Sequence, residues 1–202
     1  MFVIANNLGL DLANTRIVDD GKEADFLKDF DDLMNWTVAV GLLDKHQAEK
    51  AKRQWSNKKE ATSLFKNVVK LRDSIKQIAA NVVRGQAISS TSLSELNETL
   101  KKKSGYFELK RSESGFEKQF HSETENIGSL LVPIAESVAD LLCFGDLSNV
   151  KKCEGETCVL YFYDTSKNHR RRWCSMAECG NRAKANAFYQ RSKQRDDAKR
   201  SV

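Results

Sequence analysis

The sequence predicts an α+β chain. A mostly helical N-terminal domain with a small strand and β-hairpin element (residues 1–147) precedes a small treble-clef-like module (residues 148–202). Three observations carry this. Apolar residues recur at helical spacing through most of the N-terminal part, whereas residues 105–122 read as two short runs around a polar turn. Four of the five cysteines form two pairs, Cys153-x4-Cys158 and Cys174-x4-Cys179, separated by 15 residues. The charge divides at the same place. Residues 150–202 carry 13 Lys and Arg against 6 Asp and Glu, while the rest of the chain has a balance of −2.

Taken in order, Leu8, Leu10 and Leu12 alternate, which predicts a short half-buried strand over residues 8–15. Phe26, Leu27, Phe30, Leu33, Met34, Val38 and Leu42 predict a helix over 24–43. Asp44 caps a second helix reaching about Trp55. Ser56 or Asn57 starts a long third one through Leu64, Val68, Leu71, Ile75, Ile78 and Val82, with Gly85 just past its end. Ser92-x-x-Glu95 is a capping-box pattern that opens a helix to about Lys103. Tyr106–Lys110 and Phe116–Phe120 flank Arg111–Gly115 and predict a hairpin. Residues 127–144 are helical again, with the single proline, Pro133, near the start or at a kink. Cys143 lies in the apolar run of that helix and reads as a core residue. Gly145–Asn149 is the domain boundary. The two histidines of the first domain, His46 and His121, read as surface residues.

The cysteine pairs point to a metal. Each is short enough for both sulfurs to reach one ion, and the segment between them is long enough for a hairpin. Zinc takes four ligands tetrahedrally, and four cysteines close its shell, so one structural Zn2+ per chain, bound by Cys153, Cys158, Cys174 and Cys179, is expected. Disulfides would need an oxidising compartment. The N-terminus lacks the basic and apolar regions of a signal peptide, and no apolar run approaches a membrane span, so a soluble cytoplasmic protein is expected.

Between the pairs, Val159–Asp164, a polar turn and His169–Trp173 read as a hairpin, with Trp173 packing over the metal. Ser175-x-x-Glu178 predicts a helix from Met176 with Cys179 in its first turn, which completes the treble-clef order. On that helix Lys184, Arg191 and Arg195 share one face, Arg182 and Lys193 lie on another, and alanines keep the surface slim. Such a helix fits a major groove about 12 Å wide. Arg170, Arg171 and Arg172 add charge, with Arg170 and Arg172 on one side of an extended segment and Arg171 on the other. The charge favours a polyanion, DNA or RNA alike. The alternative is an ordinary helix with solvated basic side chains.

The stretch from Asp164 to Ala185, with Trp173-Cys-Ser-Met176 and the tetrad Cys179-Gly180-Asn181-Arg182, resembles the CGNR zinc finger. The N-terminal part resembles the ABATE domain that accompanies this finger in bacterial stress-induced transcription regulators. Leu10-Asp-Leu-Ala-Asn-Thr15 is similar to that family's Leu-Asp-Phe-x-Asn-Thr signature, with Leu12 replacing the aromatic residue, and Ala139–Leu142 with Gly145–Leu147 also fits. The resemblance implies zinc on the four cysteines and DNA as the finger's partner.

A DNA-binding transcriptional regulator is therefore expected, with residues 1–147 sensing a small-molecule effector or forming a homodimer. The first domain has no glycine-rich phosphate loop, no His-rich metal set and no nucleophile–base pair, so no enzyme activity is expected. The competing reading is a small-molecule-binding protein or enzyme whose finger is a structural staple or a protein- or RNA-docking module. Asp11, Asn14 and Thr15 could line a ligand pocket at a strand end, or they could cap a helix and satisfy loop carbonyls.

Overall fold

Helix α4 (Lys59–Val83) is the spine of the molecule in the computed structural model, which describes residues 3–19, 22–56, 58–113, 115–122 and 127–200. Its Ala61, Leu64, Val68, Leu71, Ile75 and Ile78 are buried. Their three- and four-residue spacing makes one stripe, so α4 gathers other elements along that stripe. Packed on it are α1 (Leu8–Ala13), α2 (Phe30–Ala39), α5 (Ser90–Leu100) and a 3-10 turn, Ile127–Leu131. Helix α3 (Lys45–Trp55) packs on α2, and α6 (Val132–Phe144) packs on α1 and α5. Three separate antiparallel ladders complete the described residues. They are β1 (Arg16–Asp19) with β2 (Lys22–Asp25), β3 (Gly105–Ser112) with β4 (Gly115–Ser122), and β5 (Val150–Lys152) with β6 (Tyr161–Tyr163). The chain is thus α+β and mostly helical, as the sequence predicts.

Residues 8–13 form a helix, not the expected strand. Asn7 caps it by accepting from Leu10 N at 3.1 Å. Gly9 through Ala13 are all buried, so the leucines have no polar face to alternate with and the period of two is accidental. Gly9 lets α1 cross α6 closely. A Cβ there would sit 2.1 Å from Val138 Cγ2, and its N–H donates to Ser137 Oγ at 2.9 Å.

The expected helix over 24–43 is shorter. Asp29 caps α2 by accepting from Asp32 N at 2.9 Å, and Gly41, at φ +74°, follows its end. Residues 22–25 belong instead to β2. Helix α3 begins as expected, with Asp44 and Gln47 forming a reciprocal capping box. Helix α4 starts two residues later than Asn57, which lies outside the described residues, and Gly85 follows its end at φ +64°. Helix α5 is capped by Ser89, three residues ahead of the predicted Ser92. Pro133 sits in the first turn of α6, where its missing N–H costs nothing. Cys143 is exposed rather than in the core. The buried stripe of α6 runs through Ile134, Ala135 and Val138, and position 143 rotates off it.

A partly buried ion pair holds β2 to α4. Arg72 donates through both terminal nitrogens to the two Asp25 carboxylate oxygens at 2.7 Å, and its Nη1 also reaches Thr15 Oγ1.

The cysteine module does not hang free of this body. Leu160, Tyr161, Phe162, Cys153 and Cys174 are part of the same buried cluster as the N-terminal core. Tyr163 N donates to Ala5 O at 2.7 Å, and the Asn14 side chain bridges both backbone groups of Tyr161, at 2.7 and 3.0 Å.

Candidate metal centre and basic helix

The four cysteines converge from four different local structures. Cys153 directly follows β5, and its N–H donates to Leu160 O at 2.9 Å. Cys158 closes a tight turn, its N–H donating to Gly155 O at 3.0 Å. Cys174 ends an extended run tied to the first pair by Glu154 N donating to Arg172 O at 3.0 Å. Cys179 lies in a single π-turn, Met176–Gly180, that leads into α7 (Asn181–Arg200). The turn is closed by Gly180 N donating to Ser175 O at 3.0 Å.

All four sulfurs lie within 4.8 Å of one another. Cys158 and Cys174 are 3.8 Å apart, and Cys174 and Cys179 are 3.6 Å apart. A tetrahedron with Zn–S arms of ~2.3 Å has edges of about 3.8 Å. The cluster therefore has the size of a ZnS4 core. Backbone N–H groups of Gly155 and Cys174 donate to Cys153 Sγ at 3.4 and 3.2 Å, as expected for a thiolate. Four bare thiols at this distance conflict. Thiol donors from Cys158 and Cys174 pull Cys153 far down, and those same hydrogen bonds to Cys153 push Cys158 and Cys174 up. A divalent cation at the centre stabilises all four thiolates together. The donor set is all sulfur and saturates the ion, so the zinc it holds is structural and leaves no position for substrate.

The hairpin expected between the pairs forms differently. Strand β6 pairs with β5, ahead of the first cysteine, in the register Val150↔Tyr163. Residues 169–173 form no ladder. Asp164, fully buried at the end of β6, organises them instead. It accepts from Lys151 Nζ at 2.6 Å, Ser166 Oγ at 2.6 Å, Ser166 N at 3.0 Å and Arg171 N at 2.8 Å. Burial alone would push this carboxyl up. The Lys151 ammonium and the other donors outweigh it and hold the group well below the usual carboxylate range.

The three arginines have different environments. Arg170 is exposed. Arg172 is exposed and paired with Glu154 at 2.6 Å. Arg171 turns inward, donating from Nε to Trp173 O at 3.0 Å and from Nη2 to Cys174 O and to Ile4 O, the latter at 2.8 Å. Its guanidinium also stacks 4.2 Å from the Phe162 ring centre. Its place among the nucleic-acid-binding residues is therefore corrected. Arg171 bolts the metal loop to the N-terminal segment and has little left for a phosphate. Trp173 is half-buried beside Gly180, whose absent Cβ would meet it at 3.2 Å and Met176 Sδ at 2.4 Å.

Beyond the π-turn, α7 runs out exposed. Arg182, Lys184, Arg191 and Lys193 all face solvent, and the side chain of Arg195 lies outside the described residues. At about 100° per residue, Lys184, Arg191 and the Arg195 position share a face, and Arg182 and Lys193 share the opposite one. Each face carries one aromatic residue that the sequence reading missed. Phe188 lies with Lys184 and Arg191, and Tyr189 lies with Arg182 and Lys193, each 67 % exposed. The missing signal was their lack of apolar neighbours at helical spacing. Arg182 also lines a groove with Glu154, Cys158, Cys179 and Asn186.

Asp11, Asn14 and Thr15 are buried and bonded to protein, so of the two readings open for them it is internal bonding, not a ligand pocket, that the structure carries. Asp11 Oδ1 accepts from Ile4 N and Ala5 N, both at 2.9 Å. Asn14 holds Tyr161 as described, and Thr15 Oγ donates to Leu12 O at 2.8 Å. The motif couples the N-terminal segment to the metal module.

Residues 6–145 match the ABATE family, described as "Putative stress-induced transcription regulator", and residues 149–192 match the CGNR zinc finger. The first match spans more than half of the chain, so the chain belongs to the ABATE family, with a CGNR finger at its C-terminal side. No curated protein matches it. Among the described residues, no helix is long and apolar enough to cross a membrane.

Proposed function

We propose that this chain is a DNA-binding transcriptional regulator in which the zinc-braced finger presents α7 to the duplex. The observation that carries the reading is the exposed basic helix leaving the metal centre, with cations on two faces and alanines between them. Arg170, Arg172, Arg182, Lys184, Arg191, Lys193 and Arg195 are the proposed contacts. Lys184 and Arg191 face the groove. Arg182, three residues past a ligand, is the one that could instead brace the metal site. The zinc shapes the loop and sets the angle at which the helix leaves. Residues 1–147 form the regulatory part, responding to a ligand or associating with a second copy. The family description supports regulation, and the +7 balance of residues 150–202 supports a polyanionic partner.

Fluorescence anisotropy with labelled random duplex DNA and duplex RNA, over a salt series, tests this. If about four cations neutralise phosphates, log K falls against log salt with a slope near −3.6 on DNA. Binding to neither polymer at low salt would reject the reading, and binding to RNA alone would change the partner.

A further inference from the structure

The β3–β4 hairpin is the one described ladder that presents large apolar side chains to solvent along its length. Tyr106 and Phe107 are each 53 % exposed, Leu109 68 % and Phe116 69 %. A two-stranded hairpin is marginal in water by itself, and a long free edge is a template for another strand. Its register fixes which edge could pair. The connection from Ser112 to Gly115 leaves two residues between the strands, so that pair exchanges both backbone hydrogen bonds. Alternation then turns the N–H and C=O groups of residues 105, 107, 109 and 111 outward from β3.

We propose that β3 is a homodimerisation edge, pairing antiparallel with β3 of a second copy about a two-fold axis at Leu109. Leu109 then faces its own copy in a hydrogen-bonded pair. Phe107 faces the partner's Arg111, an apolar ring beside a guanidinium with no charge opposed to it, twice by symmetry. Glu108 faces the partner's Lys110, also twice, in the closer non-hydrogen-bonded pairs where side-chain charges interact most. No pair in this register opposes like charges. On the β4 edge the axis at the position opposite Leu109 passes through Lys118 and opposes that lysine to itself. In the single chain Glu108 already leans on Lys110 at 3.2 Å and on His121 at 2.7 Å. The dimer extends this exposed network across the axis and joins the two hairpins into one four-stranded sheet. The choice of a second copy over an anionic partner rests on that strand-to-strand complementarity. The cations on the apolar face, Lys103, Lys118 and Arg111, already cover rings of their own hairpin.

Sedimentation velocity on the full chain at micromolar concentration tests the proposal. Wild type should run at twice the 22.9 kDa chain mass. Glu108→Lys alone and Lys110→Glu alone each place like charges in both cross-axis pairs and should run as monomers. An equimolar mixture of the two variants should recover the dimer, because the two lysines of one chain then face the two glutamates of the other. Unchanged zinc content and circular dichroism of each variant show that the chains are folded. A monomeric wild type, single variants that remain dimeric, or a mixture that stays monomeric would each overturn it. A monomeric wild type that binds single-stranded oligonucleotides, with the binding lost on Phe107→Ala, would assign the hairpin to nucleic acid instead.

Discussion

Asp164 is the residue on which the geometry of the metal loop turns. It is fully buried, and it ties Lys151 from β5, Ser166 from the turn and the Arg171 backbone to one carboxylate. Asp164→Asn keeps the shape but leaves the Lys151 ammonium without its counter-charge. A loss of about 3 kcal/mol is expected, the low end for a broken buried pair because Lys151 keeps some solvent access. The pH dependence has a defined sign. The folded carboxyl titrates below its ordinary value of 3.8. Its contribution is therefore complete above that value and is lost as pH falls through the lower folded value. Chemical denaturation of wild type and Asp164→Asn at neutral pH should differ by that amount. The gap should therefore stay constant from alkaline and neutral pH down to the acid pH at which zinc begins to leave the thiolates. A gap that narrows toward alkaline pH would contradict the assignment.

At the scale of elements, α7 and the Arg170–Arg172 run separate two uses of arginine. Removing one phosphate contact should make the salt slope of DNA binding shallower by about 1 and weaken all sequences alike. Arg191→Gln should do this. Arg171→Gln should leave the slope unchanged and lower the melting temperature instead, because its carbonyl partners lie within the protein. Equal slope changes for the two variants would erase the distinction.

Elements with a side-chain device of their own were legible in the sequence. Asp44 and Gln47 mark the start of α3, and the polar turn after Arg111 marks the β3–β4 hairpin. Helix α1 was not, because six residues buried on nearly all sides carry no period. The β1–β2 ladder was also missed, although its connection reads Asp20-Gly21, a hairpin dipeptide. Cys153, Cys158, Cys174 and Cys179 were legible as one site because metal geometry constrains their spacing directly. The role of Arg171 was not, because its acceptors include Ile4, 167 residues away. Likewise β6 pairs with β5 where β6 packs on α1 and β5 packs on α4, and local alternation does not encode those distant contacts.

For the whole molecule, the continuous core couples the finger to the helical body. Leu160, Tyr161 and Phe162 belong to both. Chelating the zinc should unfold the loops that the cysteines tether, while the helices ahead of residue 147 persist with a lower melting temperature, since they lose the packing of β6. Circular dichroism through a chelator titration checks this. Complete loss of helix would mean that the first 147 residues have no stability of their own. An unchanged melting temperature would mean that the shared core contributes nothing.

In the proposed function the metal centre holds α7 in place and α7 binds DNA. The most direct test is the affinity of the Lys184→Glu, Arg191→Glu double variant for duplex DNA at moderate salt, read together with its zinc content. One zinc per chain, unchanged helicity and no detectable binding are expected. A double variant that retains its zinc and binds DNA as tightly as wild type would contradict the proposed function.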